Sequence, residues 1–93
     1  MMTIMNELVE RLKEGEEEAF ALIYSRLESP LINHLYKMLG SIEKAQDVFQ
    51  ETMLTLIKKI NHYNHRPDLK NSFKAWVFRI GTNLAIDEIR KKK

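Results

Sequence analysis

At 93 residues and a net charge of +2, the chain has room for one small domain with a single modest core. It has no cysteine, which excludes a disulfide framework and a thiolate metal site, and its three glycines and two prolines argue against a turn-rich β fold. The start, MMTIM, lacks the basic flank and long apolar run of a signal peptide, and no apolar stretch is long enough for a bilayer, so a cytoplasmic protein without membrane attachment is expected.

In chain order, Ile4, Leu8 and Leu12, with Met5 and Val9 beside them, have the spacing of one face of a short helix, and Gly15 is its terminator. A second helix starts in Glu16, Glu17 and Glu18, where acids suit the positive end of the helix dipole. Its stripe is Phe20, Ile23, Tyr24 and Leu27. At Ser29-Pro30 a kink or a restart is expected, because serine can cap a helix and proline can open one. The stripe then resumes with Leu31, Leu35, Met38 and Leu39 and closes at Gly40.

Ser41 is the expected N-cap of a third helix, whose inner face reads Ile42, Ala45, Phe49, Met53, Leu56 and Ile60. Opposite them lie Asp47, Gln50, Glu51, Leu54 and Lys58. A polar outer face is ordinary for an amphipathic helix, but a leucine ringed by acids and an amide also has the look of a protein-docking patch.

The stretch NHYNHRPDLKNS, residues 61–72, is the one long loop, and its Tyr63, Asn64, His62, His65, Arg66 and Asn71 suit stacking on or hydrogen bonding to bases. His62 and His65 have a metal-ligand spacing, yet no clear third and fourth ligand accompanies them, so neither a metal nor another cofactor is expected. Ser72 can cap a final helix reaching Lys93, whose sealing stripe reads Phe73, Trp76, Val77, Ile80 and Leu84. Beside that stripe runs a second ridge, Arg79, Asn83, Ile86 and Arg90, leading into Lys91 and the last lysines. It offers cations for phosphates, an amide for a base edge and one apolar contact. Charge along the chain is polarised the same way: Glu7, Glu10, Glu14 and the following acids make an acidic front, and cations dominate from Lys58 onward. The expected fold is an all-α bundle of four to five helices. Catalysis is not expected, because the sequence has no glycine-rich phosphate loop, no nucleophile elbow and no HExxH, and Asp87 and Glu88 point to different sides of their helix.

Two motifs add a family likeness. Ala45-x-Asp47-x-x-Gln50-Glu51, followed after the basic loop by Trp76-Val77-x-x-Ile80-Gly81-x-Asn83-x-x-x-Asp87-x-x-Arg90, resembles region 2 of bacterial RNA polymerase sigma factors of the extracytoplasmic-function type. With Ala19-Phe20 through Leu39-Gly40 matching the family's opening helices, the resemblance covers nearly the whole chain. Gly81 stands where the family usually has Ala, Val77 where it has Leu, and Met53 where it has Phe.

The resemblance implies a transcription initiation domain that docks on core RNA polymerase through the clamp coiled coil of its largest subunit, using Asp47, Gln50, Glu51 and Leu54. It also implies recognition and melting of the promoter minus-ten element on the non-template strand. There Asn83 would read a base edge, with Ile86 beside it. Arg79, Arg90 and Lys91 would hold phosphates, and Tyr63 and Asn64 would wall a pocket for a flipped base. Trp76 is expected inside with the sealing stripe, and Phe78 is the candidate wedge. An anti-sigma factor is a further partner that the family admits. In the family a C-terminal helix-turn-helix domain follows, so the chain is expected to be a single domain that ends before it. The competing reading is a helical module that binds polymerase, or resembles an anti-sigma regulator, without reading DNA.

Overall fold

The computed structural model describes residues 4–63 and 72–91, and among them the regular elements are helices. They are α1 (Ile4–Lys13), α2 (Glu17–Leu39), α3 (Ile42–Lys59), a 3-10 turn over Ile60–His62, and α4 (Ser72–Arg90). α2 packs on α1, α3 and α4, and α3 packs on α4, so one core forms between them.

Local chemistry sets the corners. Gly15 takes φ +89° and Gly40 φ +69°, left-handed conformations that a side chain would strain. At the second of these, the Gly40 N–H closes on the Tyr36 carbonyl at 2.8 Å. Ser41 caps α3 as the sequence suggests, its hydroxyl accepting from the Lys44 N–H at 3.3 Å. Between α1 and α2, Arg11 pairs with Glu16 at 3.1 Å and reaches Glu18 at 3.8 Å, so the corner is pinned from both sides.

The restart expected at Pro30 does not occur. α2 runs unbroken through it because Ile23, Leu27, Leu31 and Leu35 continue one buried row across the proline, while Pro30 itself faces solvent. A proline inside a helix costs about 3 kcal/mol, and burying a leucine returns about 1.5–3 kcal/mol, so the row outweighs the missing hydrogen bond. Arg26, whose carbonyl loses its donor, is also exposed, and water can serve it.

Two expected inner faces shift. Ile42 is 50% exposed, since the first turn of α3 projects past the core, while Ala45, Phe49, Met53, Leu56 and Ile60 are buried as read and Val48 and Thr52 join them. On α4 the buried row is Phe73, Val77, Gly81 and Ala85; Trp76, Ile80 and Leu84 are only half-buried. A Cβ on Gly81 would stand 3.3 Å from both a Leu31 methyl and the Thr52 hydroxyl. Small residues at 81 and 85 therefore let α4 lie close against α2 and α3. The Thr52 hydroxyl is satisfied within its own helix, donating to the Val48 carbonyl at 2.7 Å.

Candidate protein and nucleic-acid interfaces

The first candidate face belongs to α3. The large residues Phe49, Met53 and Leu56 anchor the helix inward, and the period of 3.6 then carries Asp47, Gln50, Glu51 and Leu54 outward together. All four are exposed, Leu54 at 59%. Gln50 is held in place, its Nε2 donating to the Tyr24 hydroxyl, and the Tyr24 ring meets Phe49 edge-on at 5.0 Å and Phe20 at 6.1 Å. With Val48, Lys44 and, from α4, Glu88, these residues line a shallow depression of about 350 Å³. The sequence reading missed Tyr24, Lys44 and Glu88 as parts of this face. Tyr24 and Gln50 are 26 residues apart, and helical spacing carries no signal about pairs joined only by the fold.

The second face belongs to α4. Arg79, Asn83, Ile86 and Arg90 fall within a sector of about 60°, counting about 100° per residue; Arg79, Asn83 and Arg90 are exposed and Ile86 half-buried. Lys91 leaves this row. It lies 4.0 Å from Glu88, on the flank of α4 that borders the α3 face, so among the predicted phosphate contacts it stands apart from Arg79 and Arg90. The helix is fixed from behind: His34 of α2 is hydrogen-bonded to Thr82 at 2.9 Å, its ring lies 5.4 Å from that of Phe78, and the Lys74 ammonium sits 5.6 Å over the other residue of that pair, Phe78. Phe78, the candidate wedge, is thus half-buried between a ring and a cation.

Tyr63 is placed differently from its sequence reading as a pocket wall. It is 8% exposed, with its ring 4.7 Å from Trp76 and 5.6 Å from Phe73, and its hydroxyl 2.9 Å from that of Ser72. Trp76 packs on it and is half-buried, so it borders the core without belonging to the buried row. Asn64, His65, Arg66 and Asn71, expected from the sequence to meet bases, lie outside the described residues. His62 is exposed at the end of the 3-10 turn, and among the described residues no three His, Asp or Glu side chains stand together as a metal site. No helix among them is long and apolar enough to cross a membrane.

Among the described residues, then, one helix carries an acidic-amide face and the next a cationic-amide ridge, over a shared core. The chain belongs to the Sigma-70 region 2 family, whose model matches residues 23–93. It is 33% identical over 93 residues to the ECF RNA polymerase sigma factor SigW of Bacillus subtilis, covering 100% of this chain and 48% of that protein. With the ECF RNA polymerase sigma factor BldN of Streptomyces coelicolor it shares 29% identity over 89 residues, 96% of this chain and 33% of BldN. The ECF RNA polymerase sigma factor SigG of Mycobacterium tuberculosis is 32% identical over 81 residues, 87% of this chain and 20% of SigG. The chain thus spans about half, a third and a fifth of the lengths of these relatives.

Proposed function

We propose that the chain is the part of an ECF-type sigma factor that docks on core RNA polymerase and captures the opened minus-ten element. The observation that supports this reading is that the acidic-amide row of α3 and the cationic-amide row of α4 lie on two different faces over one core. Asp47, Gln50, Glu51 and Leu54 form one surface, and Arg79, Asn83, Ile86 and Arg90 form the other. The first docks on the clamp coiled coil of the largest subunit, with Leu54 as apolar anchor inside a polar rim. The second holds the non-template strand, arginines on phosphates and Asn83 on a base edge.

Such a domain opens DNA without hydrolysing a nucleotide and is not an enzyme. It binds the open form better than the closed one. Stacking a base on an aromatic contributes about 1–3 kcal/mol, comparable to the few kcal/mol that extruding a base costs, so one captured base is enough to start a bubble. The work is done in the cytoplasm, and an anti-sigma factor that covers either face would switch it off.

Fluorescence anisotropy with minus-ten single strands and scrambled strands tests base reading, and capture on the isolated clamp coiled coil tests docking. The wild-type chain is expected to discriminate between strands and Asn83→Ala to lose that discrimination. Coiled-coil capture with equal affinity for every strand would instead favour an interaction module that does not read DNA.

A further inference from the structure

His34 stands one turn along α2 from Leu31, and these two residues meet successive positions of α4. A Cβ on Gly81 would lie 3.3 Å from a Leu31 methyl, and the next residue, Thr82, shares a hydrogen bond with His34 Nε2 at 2.9 Å. The same imidazole lies 5.4 Å from the Phe78 ring at an interplanar angle of 42°. His34 is thus seated against positions 78 and 82 of α4, one turn apart, beside the place where α2 and α4 come close. A threonine hydroxyl can give or accept, so the bond forms with either tautomer of the imidazole. His34 and Thr82 are both half-buried, where water competes less for such a bond.

The buried row of α4 does little to hold its roll. Packed helices resist turning about their own axes when the side-chain ridges of one lock into the grooves of the other. After Phe73 and Val77 that row consists of Gly81 and Ala85, which set how near α4 lies and offer little to grip. Phe78 and Thr82 fall between the buried row and the exposed ridge, counting about 100° per residue. A contact on that flank acts off the line of closest approach and so opposes rotation. Each contact also comes one residue before a member of the ridge: Phe78 precedes Arg79, and Thr82 precedes Asn83. Side chains reach about 5–6 Å from a helix axis, so a roll of about 20° carries a tip through about 2 Å. A base-edge hydrogen bond tolerates only a few tenths of an ångström around about 2.9 Å. The attraction of an arginine for a phosphate falls off only with the inverse of distance, so the same roll costs it far less.

We infer that His34 and Thr82 are positioning residues for base recognition: their hydrogen bond, with Phe78 against the same ring, sets the roll of α4 and so the bearing of Asn83. This rests on the function proposed above and deepens it, giving α2 a part in promoter selectivity without a contact to the strand.

The test uses the 93-residue chain with His34→Leu, which keeps a side chain but no polar atom, and Thr82→Val, which keeps the branched shape and removes the hydroxyl. Thr82→Ser, which keeps the hydroxyl, and His34→Gln, which puts an amide nitrogen in place of Nε2, are the conservative variants. Two readouts are taken. Anisotropy gives the affinities for a minus-ten single strand and for a scrambled strand of the same composition, and amide residual dipolar couplings of the free protein report the roll and tilt of α4 against α3. His34→Leu and Thr82→Val are each expected to lower the affinity ratio about three- to tenfold, by weakening the minus-ten strand and leaving the scrambled strand alone. Each is also expected to turn α4 by about 10–20°, the tolerance within which a binding constellation has to be held. The double variant is expected to lose no more than either single one, because both break the same bond. Thr82→Ser and His34→Gln are expected to recover most of the ratio.

Dipolar couplings of α4 that match wild type in both single variants overturn the positioning role, whatever the DNA result. A discriminating wild type whose two single variants discriminate equally well overturns it too. So does a double variant in which the two losses add, since the residues would then act separately. A wild type that binds all strands alike overturns the base-reading proposal itself; the couplings then still decide whether the bond holds α4, so the two failures are told apart.

Discussion

α3 and α4 are neighbours of almost equal length, and they solve the same problem in opposite ways. Each buries one side and leaves the other exposed. α3 fills the core mainly with large residues, Phe49, Met53 and Leu56, and meets α4 at its smaller Thr52. α4 buries Val77, Gly81 and Ala85, which bring its backbone in close. The first arrangement is sensitive to removal of volume and the second to its addition. The outer faces differ in kind as well: an exposed leucine among acids and an amide on α3, cations around an amide on α4.

The largest expected effect comes from hollowing out the α3 side. Phe49→Ala should destabilise the fold by about 3–5 kcal/mol and loosen Tyr24, which rests on the ring and holds Gln50, so both melting temperature and coiled-coil capture should fall. Overfilling the α4 side comes next. Gly81→Val puts branched carbon against Leu31 and Thr52, already 3.3 Å from an ideal Cβ, and should cost about 1–3 kcal/mol. If Gly81→Val melts like wild type, the close approach of α4 is not what the small residues are for.

Truncations of the outer faces should separate the two surfaces. Leu54→Ala is expected to weaken polymerase binding by about 1–3 kcal/mol and leave DNA binding unaltered. Asn83→Ala should remove about 1–3 kcal/mol of base discrimination and leave polymerase capture unaltered. Melting temperature should report little change for either, as surface substitutions usually stay within about 0.5 kcal/mol. A variant that impaired both activities would show that the faces are not separate. The smallest effect belongs to Arg79→Ala, which should weaken binding to every single strand alike and reduce the slope of log affinity against log salt by about 0.7.

Much of this was readable from residue order. Ile23, Leu27, Leu31 and Leu35 on α2, and Ala45, Phe49, Met53 and Leu56 on α3, repeat at helical spacing and are large enough to register as hydrophobic, and Gly40 and Ser41 carry their own turn and cap chemistry. The outward rows followed automatically, since a helix that fixes its inside also fixes its outside. What could not be read was contact between elements. α4 looked sealed by Trp76, Ile80 and Leu84 because those are its greasiest residues, whereas packing chose glycine and alanine for their lack of bulk. Ser29-Pro30 looked like a break because local propensity knows nothing of the leucines that continue past it. Tyr63 looked like loop because its partners, Lys13, Phe73 and Trp76, come from helices on both sides of it in the chain.

Where Leu31, Thr52 and Gly81 meet, three helices touch so closely that one added methyl group would make its neighbours give by a few tenths of an ångström. Anything that grips α3 therefore grips α4 through a stiff joint. Under the proposed function, a docked domain would hold Asn83 at a set reach from the polymerase, and an opened strand would meet it as a tethered neighbour, at an effective concentration written by geometry and not by diffusion.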